Sequence, residues 1–410
     1  MNLDIISIGD ELLIGQTLNT NAFWMSKALN QIGFTIRQQT SIADTEEVIL
    51  SALENSLQYS DVVLVTGGLG PTNDDLTMPT LNKYFGGSLK LDQKVFDHIK
   101  QLVTRKGFEM NENNQKQAIV PDNCTVIHNA NGTAPGLWFE KDGKVVVAMP
   151  GVPYEMKTMV SDEIIPRLKK QFVLPEIINQ MVYTQGMPES ILAEKIADWE
   201  NNLPEIIKLA YLPSPGRVKL RLSSTGTDRL LMQNNIDSEI VKLEALIPKY
   251  IYSTDNEDMA AVVGTYLNEN NLTLATAESC TGGYIAHLIT RIAGSSNYYK
   301  GSVIAYANEI KINELNVLQA DLDTSGAVSS VVVEQMALGV KQKMNTDYAI
   351  AISGIAGPTG GTEEKPVGTV WIAVASPDGI SSKKYVFGKL REVNIERASI
   401  TALGMLRKEF

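Results

Sequence analysis

Residues 61–77, DVVLVTGGLGPTNDDLT, bring together the residue types of a phosphate pocket beside a metal site. Val62 to Val65 read as a short buried parallel strand. The strand feeds Gly67, Gly68 and Gly70, which have no Cβ to keep backbone N–H groups from turning toward an anion, and Thr72 adds a hydroxyl. Asp74 and Asp75 follow where a divalent cation bridges protein to phosphate oxygens, since Mg²⁺ favours one or two carboxylates plus substrate oxygens. The same residues also suit a plain strand-to-helix turn in which Asp74 or Asp75 caps the next helix. A second set lies far downstream. Ser279, Thr281, Gly282 and Gly283 stand between a strand and a helix, as an anion site or as an N-cap. Ser296 and Tyr306 flank a further strand, and Lys311 falls in the helix after it.

Composition limits what these residues can serve. The 410 residues exceed one ordinary core and imply two to three domains. Lys plus Arg number 36 against 47 Asp plus Glu, a net charge of −11, so the whole molecule offers no basic surface for nonspecific nucleic-acid binding. The first basic residue is Lys27, which argues against a signal peptide, and no apolar run approaches the roughly 20 residues of a membrane span. With two cysteines, Cys124 and Cys280, in separate segments, a cytoplasmic protein with reduced thiols is expected. The three histidines are not spaced as a ligand pair, which disfavours a histidine-built zinc centre.

The elements that must position the first set alternate strand and helix. LDIISIG (3–9) is a strand, TNAFWMSKALNQIG (20–33) a helix stopped at Gly33, FTIRQQTSI a strand, and EEVILSALENSL a helix before the glycine-rich turn. The order βαβαβ predicts a doubly wound parallel sheet with ligands beyond the carboxyl ends of its strands. Asp10 after the first strand and Glu155 after KVVVAM then join Asp74 and Asp75 on one rim, unless they cap helices of their own. From about residue 173 a small α+β unit follows. In it GRVKLRLSSTG alternates Val218, Leu220 and Leu222 with Arg217, Lys219 and Arg221, a basic face that suits the wet side of an edge strand. The last 155 residues start with a helix, DMAAVVGTYLNENN, and a strand, LTLATAES, and later run through the glycine-rich loop GIAGPTGG at 354–361.

GDELLIGQTLNTNA, TGGLGPTNDDLT, NENNQKQAIVP, GTAPGLWFE and MPGVPYEM, in this order over about 170 residues, resemble the amino-terminal domain of the CinA family, itself similar to the molybdopterin-binding MoaB and MogA proteins. The resemblance implies a pyrophosphatase that cleaves ADP-ribose with a divalent metal, Mg or Co, in some members with potassium. Asp74, Asp75, Asp10 and Glu155 would be its metal ligands, and Asn113, Asn114, Lys116 and Gln117 donors near phosphate, with Lys116 equally suited to a solvated helix. A KH-like middle unit is the family expectation, but no GxxG loop is placed to clamp RNA, so a spacer is expected. TAESCTGG, AGSS, the Tyr306-to-Lys311 spacing and GIAGPTGGTEEKPVGTV resemble the PncC type of nicotinamide mononucleotide deamidase.

On that resemblance Ser296 is the expected nucleophile with Tyr306 and Lys311 relaying its proton, because an unassisted serine is weak and no histidine is well placed. Ser279, Thr281, Gly282 and Gly283 would bind phosphate or fix the amide, and Gly357, Thr359, Gly360 and Gly361 would close over the ribose phosphate. Arg391 matches a family arginine, while Leu390 stands where the family carries aspartate. The fold expected is α/β throughout: a doubly wound molybdopterin-binding-like domain (1–172), a KH-like α+β domain (173–255) and an α/β deamidase domain (256–410). No cofactor is expected for the deamidase. A homodimer acting on small nucleotides is the family expectation, with no membrane and no direct nucleic-acid partner. The rival readings are a molybdopterin-binding module and a competence or recombination accessory protein.

Overall fold

Strict alternation along the first strands settles the first sheet, because both of its faces are covered. β1 (Asn2–Ile8) sends Leu3 and Ile5 to one face and Ile6 and Ile8 to the other. β3 (Val62–Thr66) does the same with Val62 and Leu64 against Val63 and Val65, as a strand buried on both sides must. In the computed structural model, which describes residues 1–72, 75–255 and 257–410, the chain forms two compact units. The first comprises Met1–Ile178 with Thr225–Met232, the second Asn179–Ser224 with Gln233–Phe410.

In the first unit β2 (Thr35–Ile42), β1, β3 and β8 (Lys144–Met149) are parallel neighbours, as the βαβαβ order predicts. Two strands the parallel reading did not include extend it. β7 (Gly136–Lys141) runs antiparallel to β8, and β6 (Thr125–Ile127) antiparallel to β7, so the sheet is mixed. A separate ribbon pairs β4 (Leu89–Leu91) with β5 (Ile119–Pro121). The helix predicted to reach Gly33 closes earlier, at Asn30, and Asn19 caps its start through Ala22 N.

In the second unit the middle sheet has the order β10 (Ile207–Ser214), β11 (Arg217–Gly226), β9 (Glu176–Gln185), β12 (Ile251–Ser253). β11 is therefore internal, which corrects the edge-strand expectation. Arg217, Lys219 and Arg221 are half-buried, and burial lowers the Lys219 ammonium below its ordinary range while its Nζ lies 5.5 Å over the Tyr183 ring. The rear sheet has the order β14 (Tyr299–Ile304), β13 (Leu274–Glu278), β15 (Tyr348–Gly354), β16 (Thr369–Ser376), β17 (Gly379–Val386). β14, β13 and β15 are parallel, and β16 and β17 return antiparallel. One face of β13, β15 and β16 carries Ala275, Ala277, Ala349, Ala351, Ala373 and Ala375. These small residues let the helix Ser330–Met344 pack close, and at Gly339 an added Cβ would meet Leu315 O at 2.0 Å. Among the described residues no helix is long and apolar enough to cross a membrane.

Candidate active site

β13 is flanked by β14 on one side and β15 on the other, so the crossover to β14 and the return to β15 run in opposite directions, and the carboxyl ends there are the usual place for a site in an open sheet. Ser279 is the first residue beyond that end, 9% exposed, its N–H donating to Ile352 O at 3.0 Å. Lys311, in the helix Asn308–Leu315, is 1% exposed, and its Nζ lies 3.2 Å from Ser279 Oγ, 2.8 Å from Ala305 O and 3.2 Å from Tyr306 O. No carboxylate pairs with it among the described residues. Burial lowers its pKa, with Cys280 a smaller opposing influence. Lys311 Nζ donates to both carbonyls and to Ser279 Oγ; with a proton lost, the two carbonyls can still be served and the lone pair is left for the Ser279 hydroxyl. This is the arrangement that activates a serine.

Ser296 is not part of it. It is exposed, in a short 3-10 turn before β14, whereas Tyr306 and Lys311 follow the other end of that strand. Six strand residues at about 3.3 Å each set the two ends roughly 20 Å apart. Ser296 is thus not brought to Tyr306 and Lys311, and the serine beside Lys311 is Ser279. Tyr306 also takes a different part: its carbonyl holds Lys311, while its exposed phenol oxygen accepts from Arg391 Nη2 at 3.2 Å.

The sequence reading missed Glu278, the last residue of β13 and fully buried. Its carboxylate accepts from Thr281 Oγ1 at 2.7 Å and from the N–H groups of Gly283, Ile285 and Ala286 at 3.1, 3.0 and 2.8 Å. An acid of the protein's own thus fills the start of the helix Tyr284–Thr290, and the Thr281 hydroxyl and the Gly283 N–H are already engaged by it. Gly282 is exposed with φ +60°, a left-handed position suited to glycine. The N–H groups of Cys280 and Thr281 have no oxygen acceptor among the described residues. Burial pushes the Cys280 thiol up to about 12, so it stays protonated and inert. His287 is exposed beside Tyr284.

The glycine-rich loop is held over the same rim by two residues one helical turn apart. Arg391 Nη1 donates to Gly357 O at 2.9 Å, and Asn394 Nδ2, also unforeseen, donates to Ala356 O and Gly388 O, each at 2.9 Å. Gly357 and Gly361 are packing requirements, since an added Cβ would meet Val367 at 2.5 and 2.6 Å. Thr359 and Gly360 are exposed at the loop tip. Leu390 occupies the N-cap of the helix Arg391–Leu406 with no side-chain cap, 70% exposed. Leu390→Asp is expected to supply the missing acceptor and stabilise the rear domain by about 1 kcal/mol. The readout is its thermal midpoint, and an unchanged or lower value would contradict the assignment.

In the first unit Gly68, Gly70, Thr72, Asp75, Asn113, Lys116 and Gln117 do line one cavity of about 180 Å³. Gln117 is 9% exposed, and neither its amide oxygen nor its nitrogen has a partner. Several expected ligands are already engaged, however. Asp75 accepts from Gly70 N at 2.8 Å, from Thr72 N at 2.9 Å and from the Thr72 hydroxyl, so it closes its own loop. Asn114 forms a capping box with Asn111, and Lys116 is exposed. Gly67 is fixed by packing, an added Cβ meeting Ile8 O at 2.2 Å. Glu155 accepts from Asn129 Nδ2 at 2.7 Å, Asp10 begins the short helix Asp10–Leu13, and Asp74 lies outside the described residues. Among the described residues no three His, Cys, Asp or Glu side chains converge to hold a metal ion. His98 and His128 do meet, ring centroids 4.6 Å apart, despite their distance in sequence.

Comparison with known proteins covers the chain in three parts. The "Probable molybdopterin binding domain" matches residues 4–170, the "Damage-inducible protein CinA KH domain" 179–253 and the "CinA C-terminal domain" 256–410. The CinA-like protein of Flavobacterium psychrophilum is 45% identical over 412 residues, covering 100% of this chain and 98% of its own. That of Cytophaga hutchinsonii is 45% identical over 406 residues, covering 99% and 97%. Among solved structures, the protein CinA of Thermoplasma acidophilum is 34% identical with TM-score 0.38, covering 42% of this chain and 98% of its own. The competence/damage inducible protein CihA of Agrobacterium tumefaciens is 38% identical with TM-score 0.36, covering 37% and 92%. Full-length similarity to the first two relatives and the three matched domains in order show that this chain belongs to the CinA family.

Proposed function

We propose that the rear domain hydrolyses the carboxamide of nicotinamide mononucleotide to nicotinate mononucleotide and ammonia, with Ser279 as nucleophile and Lys311 as its base. The observation that carries this reading is the buried Lys311 amine, 3.2 Å from Ser279 Oγ and held by two backbone carbonyls. Ser279 Oγ adds to the amide carbon while its proton passes to Lys311 Nζ. The N–H groups of Cys280 and Thr281, which meet no oxygen acceptor among the described residues, would serve the oxyanion that forms. Lys311 then returns the proton to the departing nitrogen, which leaves as ammonia. A water, deprotonated by the same amine, hydrolyses the ester on Ser279. Arg391, at the rim, supplies a charge for the substrate's phosphate. Purified full-length protein is expected to release ammonia from nicotinamide mononucleotide. Well-folded protein that releases none sinks the reading.

For the front domain the cavity lined by Gly68, Gly70, Thr72, Lys116 and Gln117 favours a nucleotide phosphate as ligand. We carry forward cleavage of ADP-ribose to AMP and ribose 5-phosphate, with a divalent metal and potassium as its expected ions. AMP release that requires added Mg or Co is the test. Its absence would favour the molybdopterin-type binding role for this domain. In the same reading the protein is a cytoplasmic homodimer recycling pyridine nucleotides, without direct contact to nucleic acid.

A further inference from the structure

Within the second unit a cleft of about 720 Å³ opens between the middle sheet and the rear domain, away from Ser279 and Lys311. Six cations line it: Arg217, Lys249, Lys383, Arg397, Arg407 and Lys408. The only lining acid among the described residues is Glu189, although the chain as a whole carries a net charge of −11. Part of this charge is answered internally. Glu396 approaches Arg217 at 3.9 Å, and Arg407 donates to Ile251 O at 3.2 Å. The rest is not. Arg397 Nε is buried with no acceptor, and a guanidinium cannot shed its proton to escape that cost. Gathering like charges in one concavity is unfavourable without an anion to offset it.

The cleft also offers flat apolar surface. The Tyr385 and Phe387 rings are parallel, with centroids 5.7 Å apart and planes 2° apart, and Tyr250 lies on the middle-domain side. Lys383 Nζ sits 5.4 Å over the Tyr385 ring. Cations beside stacking faces, in a volume inside the roughly 300–1,000 Å³ of small-molecule pockets, match a ligand with several phosphates and a planar base. The wall of this cleft is the later part of the helix Arg391–Leu406, whose first residue holds Tyr306 and Gly357 at the rear site. Gly404 keeps that wall close, since an added Cβ there would meet Gln185 Oε1 at 2.0 Å.

We propose that this cleft is a second nucleotide site, taking a nucleoside polyphosphate through its arginines and lysines with the base against Tyr385 and Phe387. The test is calorimetric titration of ATP into the full-length protein, with inorganic triphosphate and a short single-stranded RNA as competitors. The variant is Lys249→Glu with Lys383→Glu, both exposed positions whose replacement does not disturb the core. Saturable ATP binding that weakens at least tenfold in the double variant, with triphosphate at least tenfold weaker than ATP, is the expected result. No saturable binding, or ATP affinity unchanged in the variant, overturns the proposal. Triphosphate binding as tightly as ATP removes the base from it, and RNA that displaces ATP at lower concentration overturns the small-molecule assignment. Ammonia release tests the rear site separately, so failure of one reading does not obscure the other.

Discussion

Ser279→Ala is expected to lower turnover of nicotinamide mononucleotide by about a thousandfold or more, since loss of a nucleophile removes nearly everything the catalytic unit contributes. Ser296→Ala is expected to leave it within about threefold, the range of an exposed substitution away from the site. The contrast rests on placement. Ser279 leaves the carboxyl end of β13, beside Lys311, and Ser296 precedes the amino end of β14. Steady-state ammonia release by the two variants decides between them. Activity lost in Ser296→Ala and kept in Ser279→Ala would reverse the assignment. Cys280 does not complicate the reading, because its thiol is held protonated by burial.

Closeness in sequence and closeness in space part at this site for a physical reason. Ser296 is ten residues from Tyr306, yet the strand between them carries them to opposite edges of the sheet. Ser279 is 32 residues from Lys311, yet parallel pairing of β13 with β14 brings them together. The apolar runs in LDIISI and DVVLV made the parallel core readable, because a strand covered on both faces carries apolar residues on both its sides. The antiparallel β6 and β7 left no such signal, and the internal place of β11 was hidden because half-buried Arg and Lys read like a wet face.

The glycine-rich loops show a second limit. TGGLGPTNDD and AESCTGG display glycines beside acids, which suits an anion pocket. Sequence does not reveal where the acid points. Asp75 turns back onto Gly70 and Thr72, and Glu278 onto Thr281 and Gly283, so each loop satisfies its own N–H groups. A buried acceptor of this kind costs little when fully hydrogen-bonded and fixes the turn that presents its neighbour. Glu278 thereby fixes the loop that begins at Ser279, whose Oγ lies beside Lys311 Nζ.

Lys311→Met is expected to lower turnover by about a thousandfold, and Lys311→Arg to lose as much. The arginine comparison separates two roles. If Lys311 acted as a fixed cation, arginine would restore activity, whereas a guanidinium cannot accept the Ser279 proton at any accessible pH. Wild-type kcat/KM is expected to rise with pH on its acid side, because only the neutral amine is a base. That limb falls below the ordinary lysine value of 10.5, since burial lowers the Lys311 pKa. Stability follows the same sign. The unfolded chain binds the proton that the folded state gives up, so folding gains stability as pH rises through the lowered pKa toward 10.5. Below that window the folded protein must hold a buried ammonium with no carboxylate beside it among the described residues. Methionine removes this cost at similar volume, so Lys311→Met should melt at or above the wild-type temperature near neutral pH. An inactive variant with undiminished melting would assign the loss to chemistry, and a fully active one would remove Lys311 from the mechanism.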